Sequence, residues 1–105
     1  MSGFYRFPAM AVSDGYSRLD QFGKLIEEVS EVESARRTLS LADNFCDDRG
    51  EIERYREAYG MELMDVIHAA ETALRMEFDD DDVYRLRERV IEKNAGRFYY
   101  REDDR

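Results

Sequence analysis

Residues 17–32 read SRLDQFGKLIEEVSEV, and the spacing inside this stretch decides the fold class. Phe22, Leu25, Ile26, Val29 and Val32 recur every three or four residues, which predicts an amphipathic helix with this stripe facing a core. Ser17, with Asp20 three residues later, has the pattern of a capping box and sets the start. The pattern fades near Leu39, the predicted end. Gly23 inside the helix costs about 1 kcal/mol relative to alanine, which predicts close packing or a local need for space. Glu28 and Glu31 lie together on one flank of the stripe, with Lys24 and Ala35 in the same row, and Glu27 lies farther round. Like charges at i,i+3 mildly destabilise an isolated helix, so the pair needs a physical reason to be there.

Working outward, residues 42–50 are polar and turn-rich, and Asp48 with Glu51 opens a second predicted helix that runs to about Phe78. The run Asp79, Asp80, Asp81, Asp82 ends it and opens a third, from Val83 to about Ala95, where acids suit the positive end of the helix dipole. Gly96 is the expected C-cap. Residues 1–16, with the only proline (Pro8), read as an irregular lead-in whose aromatic residues Phe4, Tyr5 and Phe7 need something to pack on. Residues 98–105 form a tail of aromatic and charged residues. No stretch alternates with period two, so the expectation is one all-α domain over 1–105.

The chain has 105 residues, 16 Lys and Arg against 25 Asp and Glu, and a net charge of −9. Such a surface repels phosphate backbones, so no nucleic-acid partner is expected. Small phosphate compounds remain open, because a divalent cation can stand between acid and phosphate. One cysteine, Cys46, excludes an internal disulfide framework and a cysteine zinc site. Apolar runs are too short for a membrane span, and the first fifteen residues lack the pattern of a secretion signal, so a cytoplasmic protein is expected.

The second helix carries the most informative acids. Glu53, Glu57, His68, Glu71 and Arg75 gather on an arc expected to face water. Glu62 and Asp65 instead share a face with Tyr55, Val66, Ala69, Ala73 and Met76. A carboxylate on an apolar face takes up a proton or finds a cation. Together with Glu28 and Glu31 they make four hard oxygen donors, which fit Mg²⁺ or Mn²⁺. The competing reading is an ion pair with Lys24, Arg36 or Arg37. His68 follows Asp65 by three, but a di-iron bundle needs a second acid–histidine pair and the chain has one histidine, so a surface role is expected. The aspartate run lacks the spacing and glycine of a calcium loop. Met61, Met64 and Met76 read as packing residues, and Cys46 as a partly buried thiol. Lys93, Asn94 and Arg97 lie near the row of Leu86 and Val90, where the two cations can contact phosphate oxygens.

These motifs resemble those of the MazG-like nucleoside triphosphate pyrophosphohydrolases. Residues 24–32 (KLIEEVSEV) resemble the E-E-x-x-E helix of that family, Glu62 to Asp65 its E-x-x-D helix, and residues 93–99 (KNAGRFY) its downstream basic motif. The resemblance implies an all-α bundle completed by pairing of subunits, a homodimer or homotetramer. It also implies Mg²⁺-dependent hydrolysis of a nucleoside triphosphate to the monophosphate and pyrophosphate. By position it makes Glu28, Glu31, Glu62 and Asp65 metal ligands and Glu27 a further metal-site or water-activating carboxylate. Lys93 and Arg97 become phosphate ligands, with Lys24 and Asn94 beside them, and Glu27 and Glu31 are the candidate bases. Thirty residues, 32–61, separate the acid motifs, which is long for this family and predicts a longer hairpin or a short added helix. Two other readings remain: a non-catalytic acidic helical interaction module, and the same fold acting on another phosphorylated substrate such as phosphoribosyl-ATP.

Overall fold

The computed structural model describes residues 7–97. Phe4, Tyr5 and the tail 98–105 lie outside the described residues. Three helices follow one another: α1 (Arg18–Phe45), α2 (Arg49–Glu77) and α3 (Asp80–Ala95), with no strand among the described residues. No helix is long and apolar enough to cross a membrane.

The starts of α1 and α2 lie where the sequence puts them, because each is fixed by a side chain a few residues away. Ser17 caps α1, with its hydroxyl accepting from the Asp20 N–H and the Asp20 carboxylate accepting from the Ser17 N–H at 2.8 Å. The Asp20 carboxyl is held below its ordinary range by these bonds from Ser17. Asp48 caps α2 by accepting from the Gly50 and Glu51 N–H groups. Asp79 caps α3 by accepting from the Asp82 N–H at 2.8 Å, so the helix opens at Asp80, three residues before the predicted start at Val83. Gly96 follows α3 with φ −79°, a conformation open to any residue, so glycine is not required there.

α1 does not fade at Leu39. It continues to Phe45, and only residues 46–48 reverse the chain. Tertiary packing overrides the turn-like composition, since Ala42 is buried against α2. The separation between the acid motifs is therefore taken up by a longer hairpin, with no added helix. Arg18 pairs with Glu77 at 2.6 Å and Gln21 bonds the Ala69 carbonyl, so the two long helices run antiparallel.

The contact between them is a pair of heptad-like seams. On α1, positions 21, 25, 28, 32, 35, 39 and 42 are all buried or half-buried; on α2, positions 52, 55, 59, 62, 66, 69, 73 and 76 are. The predicted α1 stripe is thereby split. Leu25 and Val32 face α2, but Phe22, Ile26 and Val29 are exposed, by 57%, 53% and 49%. Leu19 joins them at 76%, giving a second apolar seam at 19, 22, 26 and 29. Among the described residues nothing lies within 4 Å of where a Cβ on Gly23 would stand, so close packing, one of the two reasons expected for this glycine, is absent there.

Among the described residues the only buried apolar side chains are Ala42 and Ala69. Only α1 and α2 pack extensively on each other, and α3 extends away with little contact. The radius of gyration is 17.0 Å, against about 13 Å for a compact domain of this length.

Candidate metal centre and adjoining cavity

The polar exceptions in the inner seams build the site. Glu28 on α1 and Glu62 on α2 are seam positions, and Asp65 flanks the seam one turn beyond Glu62. Carboxylate oxygens of Glu28, Glu62 and Asp65 all lie within 4.8 Å of one another. Glu28 is 6% exposed. Its Oε1 accepts from Lys24 Nζ at 2.8 Å, while Oε2, like Oε2 of Glu62, is buried without a hydrogen-bond partner. Glu31 stands one turn along α1. Its carboxyl is pushed above its ordinary range, first by the Glu28 charge and then by a hydrogen bond with Glu62 and the charge of Glu62. The Lys24 ammonium is pushed up in turn, mainly by its bond to Glu28, with smaller help from Glu27 and Glu31.

The competing ion-pair reading meets this geometry directly. Arg36 and Arg37 both turn to Glu33, and Lys24 takes Glu28. Among the described residues no lysine or arginine pairs with Glu62 or Asp65. One ammonium thus faces four carboxylates, two of them with orphaned oxygens. Such a group fits a hard divalent cation.

Beside the acids lies a cavity of about 660 Å³, within the roughly 300–1,000 Å³ common for small-molecule sites. Lys24, Glu28 and Asp65 form its charged end. The lead-in residues Met10 to Ser13 close one side, and Tyr16, Gln21, His68, Ala69 and Thr72 complete it. Gln21, 4% exposed, is fixed twice: Tyr16 donates to its Oε1 at 2.7 Å, and its Nε2 donates to the Ala69 carbonyl at 2.8 Å.

His68 and Glu71 depart from the reading that put them on a water-facing arc. Glu71 is buried and accepts from the Phe7 N–H at 2.8 Å. His68 is half-buried, with its ring stacked on Phe7 at 4.6 Å between centroids and 14° between planes. Phe7 covers this part of the arc, while Glu53 and Glu57 stay exposed. A signal for it stood in the sequence: Phe7 needed a docking place, and 68 and 71 flank the buried Ala69 and Thr72.

The remaining expected site residues lie elsewhere. Glu27 is exposed on α1. Lys93, Asn94 and Arg97 stand at the end of α3, and none of the three lines the cavity; the described residues do not bring them to the acids. Met61 is 63% exposed, not packed, whereas Met64 and Met76 are half-buried. The half-buried Cys46 thiol reaches the Asp48 carbonyl at 3.7 Å. Neither models of protein families, nor curated proteins, nor solved structures give a match to this chain.

Proposed function

We propose that this chain is a Mg²⁺-dependent nucleotide pyrophosphohydrolase of the MazG-like kind, working as a homo-oligomer, at least a dimer. The observation that carries the reading is the convergence of the seam residues Glu28 and Glu62 with the exposed Asp65 beside them, with one buried oxygen of Glu28 and one of Glu62 left unpartnered. An interior position is costly for a carboxylate without a counter-charge, and apolar residues there would pack the hairpin better. Glu28, Glu31, Glu62 and Asp65 hold the cation, with Mn²⁺ as a substitute.

Bound Mg²⁺ supplies neutralisation of the polyphosphate and acidification of the attacking water. The chain's own groups do the rest. Glu27 and Glu31 are the candidate bases. Water adds to the α-phosphorus, its proton passes to one of these carboxylates, and the α–β anhydride bond breaks to release pyrophosphate. Lys24 at the charged end of the cavity pairs with phosphate oxygens. Lys93 and Arg97 reach phosphate from a second copy or after α3 folds back, since α3 has little contact within its own chain. The exposed seam Leu19, Phe22, Ile26 and Val29 supports pairing of copies, because a four-helix core is the usual way to cover such a face.

The test is incubation of purified protein with Mg²⁺ and a panel of canonical and modified nucleoside and deoxynucleoside triphosphates, reading monophosphate and pyrophosphate. Turnover that is lost in Glu62→Gln is the expected result. No turnover of any of them leaves the non-catalytic interaction module as the better reading, and turnover equal in Glu62→Gln assigns the activity to a contaminant.

A further inference from the structure

Resting on the reading above, we propose that the uncharged half of the cavity binds the heteroaromatic base of the nucleotide, and that the lead-in is its recognition wall, pinned by Phe7.

The cavity has two chemically distinct ends. Lys24, Glu28 and Asp65 suit phosphate and cation, whereas the other lining residues carry no formal charge apart from the titratable His68. Met10, Ala11 and Val12 offer apolar surface, and Tyr16, Gln21 and His68 offer ring and amide edges. A flat base joined to a polyphosphate has this same division. The wall is also suited to reading an edge. Among the described residues, the backbone of Ala9 to Val12 makes no hydrogen bond, and the first such bond is from the Tyr16 N–H to the Ser13 carbonyl at 3.1 Å. Among the described residues the backbone donors and acceptors of this lining segment are therefore unpaired. Gln21, which also lines the cavity, is locked by its two bonds, so its remaining N–H and lone pair have a fixed direction.

A recognition wall made of irregular chain needs an anchor. Phe7 provides two: its ring lies on His68 and its N–H bonds Glu71. At the other end the chain turns at Gly15, whose φ of +82° is a conformation that glycine adopts without strain. Between these points no hydrogen bond among the described residues ties the wall to α1 or α2. Phe7 is thus a positioning residue, acting on the base through the segment it holds.

His68 is the chain's single histidine, so its two ring C–H protons give an unambiguous signal in the intact protein. The experiment titrates free ribo- and deoxynucleosides, without phosphate or metal, into the full chain while following that signal. At least one nucleoside shifts it saturably. Phe7→Ala weakens that binding about tenfold if the wall is then seated a tenth of the time, with melting showing that the fold persists. Ala11→Arg fills the cavity from an exposed position and blocks binding without touching the anchor, which covers the case in which Phe7→Ala does not fold. In turnover, both variants raise KM more than they lower kcat. Nucleoside binding unaffected by both, or none at millimolar concentration, overturns the inference. Hydrolysis that persists with an unchanged KM in both variants overturns it while leaving the pyrophosphohydrolase reading intact. Nucleoside binding as expected without hydrolysis sinks the hydrolase reading alone.

Discussion

α1 carries two seams of the same period and opposite character. The inner one, against α2, contains Gln21 and Glu28 among the most buried side chains of the protein. The outer one, Leu19, Phe22, Ile26 and Val29, is apolar and exposed. An isolated helical hairpin selected for stability alone would reverse this arrangement. Under the proposed function the polar exceptions of the inner seam are the groups given to chemistry, and the outer seam is the face a second copy would cover. Burial of each large apolar side chain is worth about 1.5–3 kcal/mol, so covering the four of the outer seam would add substantially to what the inner seam gives.

The largest effect expected is on the inner seam. Glu62→Gln or Asp65→Asn lowers Mg²⁺-dependent turnover by at least about 100-fold, the upper end seen for groups that merely support a metal ligand. The same variants melt at higher temperature than the parent in metal-free buffer, because a crowded like charge is gone. Turnover within a few-fold of the parent breaks the assignment of the inner seam to chemistry.

On the outer seam, Ile26→Asp combined with Phe22→Asp converts the oligomer to monomer in sedimentation velocity at micromolar concentration. Removal of two apolar side chains from an interface corresponds to about 3–6 kcal/mol, two to four powers of ten in dissociation constant. An unchanged sedimentation coefficient shows that some other face pairs the copies.

A smaller effect separates the two seams by pH. The Glu31 carboxyl is raised above its ordinary value of 4.5. Its contribution is therefore fully present below that value and is lost as pH rises through the higher folded-state value. Metal-free Glu31→Gln has no such loss, so its melting temperature exceeds the parent's by a margin that widens from pH 4.5 upward, and Mg²⁺ narrows the margin. Outer-seam variants show no widening of this kind. The lowered carboxyls of Asp20, Glu33 and Glu77 act in the opposite sense, with stability lost only as pH falls below the ordinary range.

The smallest effect tests the common start of both seams. Ser17→Ala removes the capping hydroxyl and costs about 1 kcal/mol, read as a melting shift of about 4–8 °C for a domain of this size. Turnover at a temperature where the variant is folded stays close to the parent's.

What was legible in the sequence divides along physical lines. The starts of α1 and α2 were, since the caps at Ser17 and Asp48 act over three residues; α3 opens three residues before the expected Val83, because Asp79 caps it. The meeting of Glu28 and Glu62 with Asp65 was legible too, because a carboxylate on the apolar face of α2 must meet either a proton or a cation, but Asp65 is exposed and the exposed Glu31 stays outside the group of three. The direction of α1 was not. Both seams fit a helical period, and polarity favoured turning Phe22, Ile26 and Val29 inward, whereas in the fold Glu28 and Gln21 take the inner place. The end of α1 was misplaced because the packing of Ala42 is a contact made with a distant part of the chain. His68 and Glu71 read as water-facing because their cover, Phe7, is more than sixty residues away in sequence. For α3 a sequence pattern gives a helix and a cap, but no place for Lys93, Asn94 and Arg97 relative to the acids.

Under the proposed function the carboxylates at residues 28, 62 and 65 close around a cation, and calorimetric titration of the metal-free protein with Mn²⁺ and Mg²⁺ tests this without any substrate. Saturable binding by the parent, absent in Glu62→Gln under the same buffer and ionic strength, is the predicted result. Heats that are equal in the two proteins, or no saturable binding in either, contradict it.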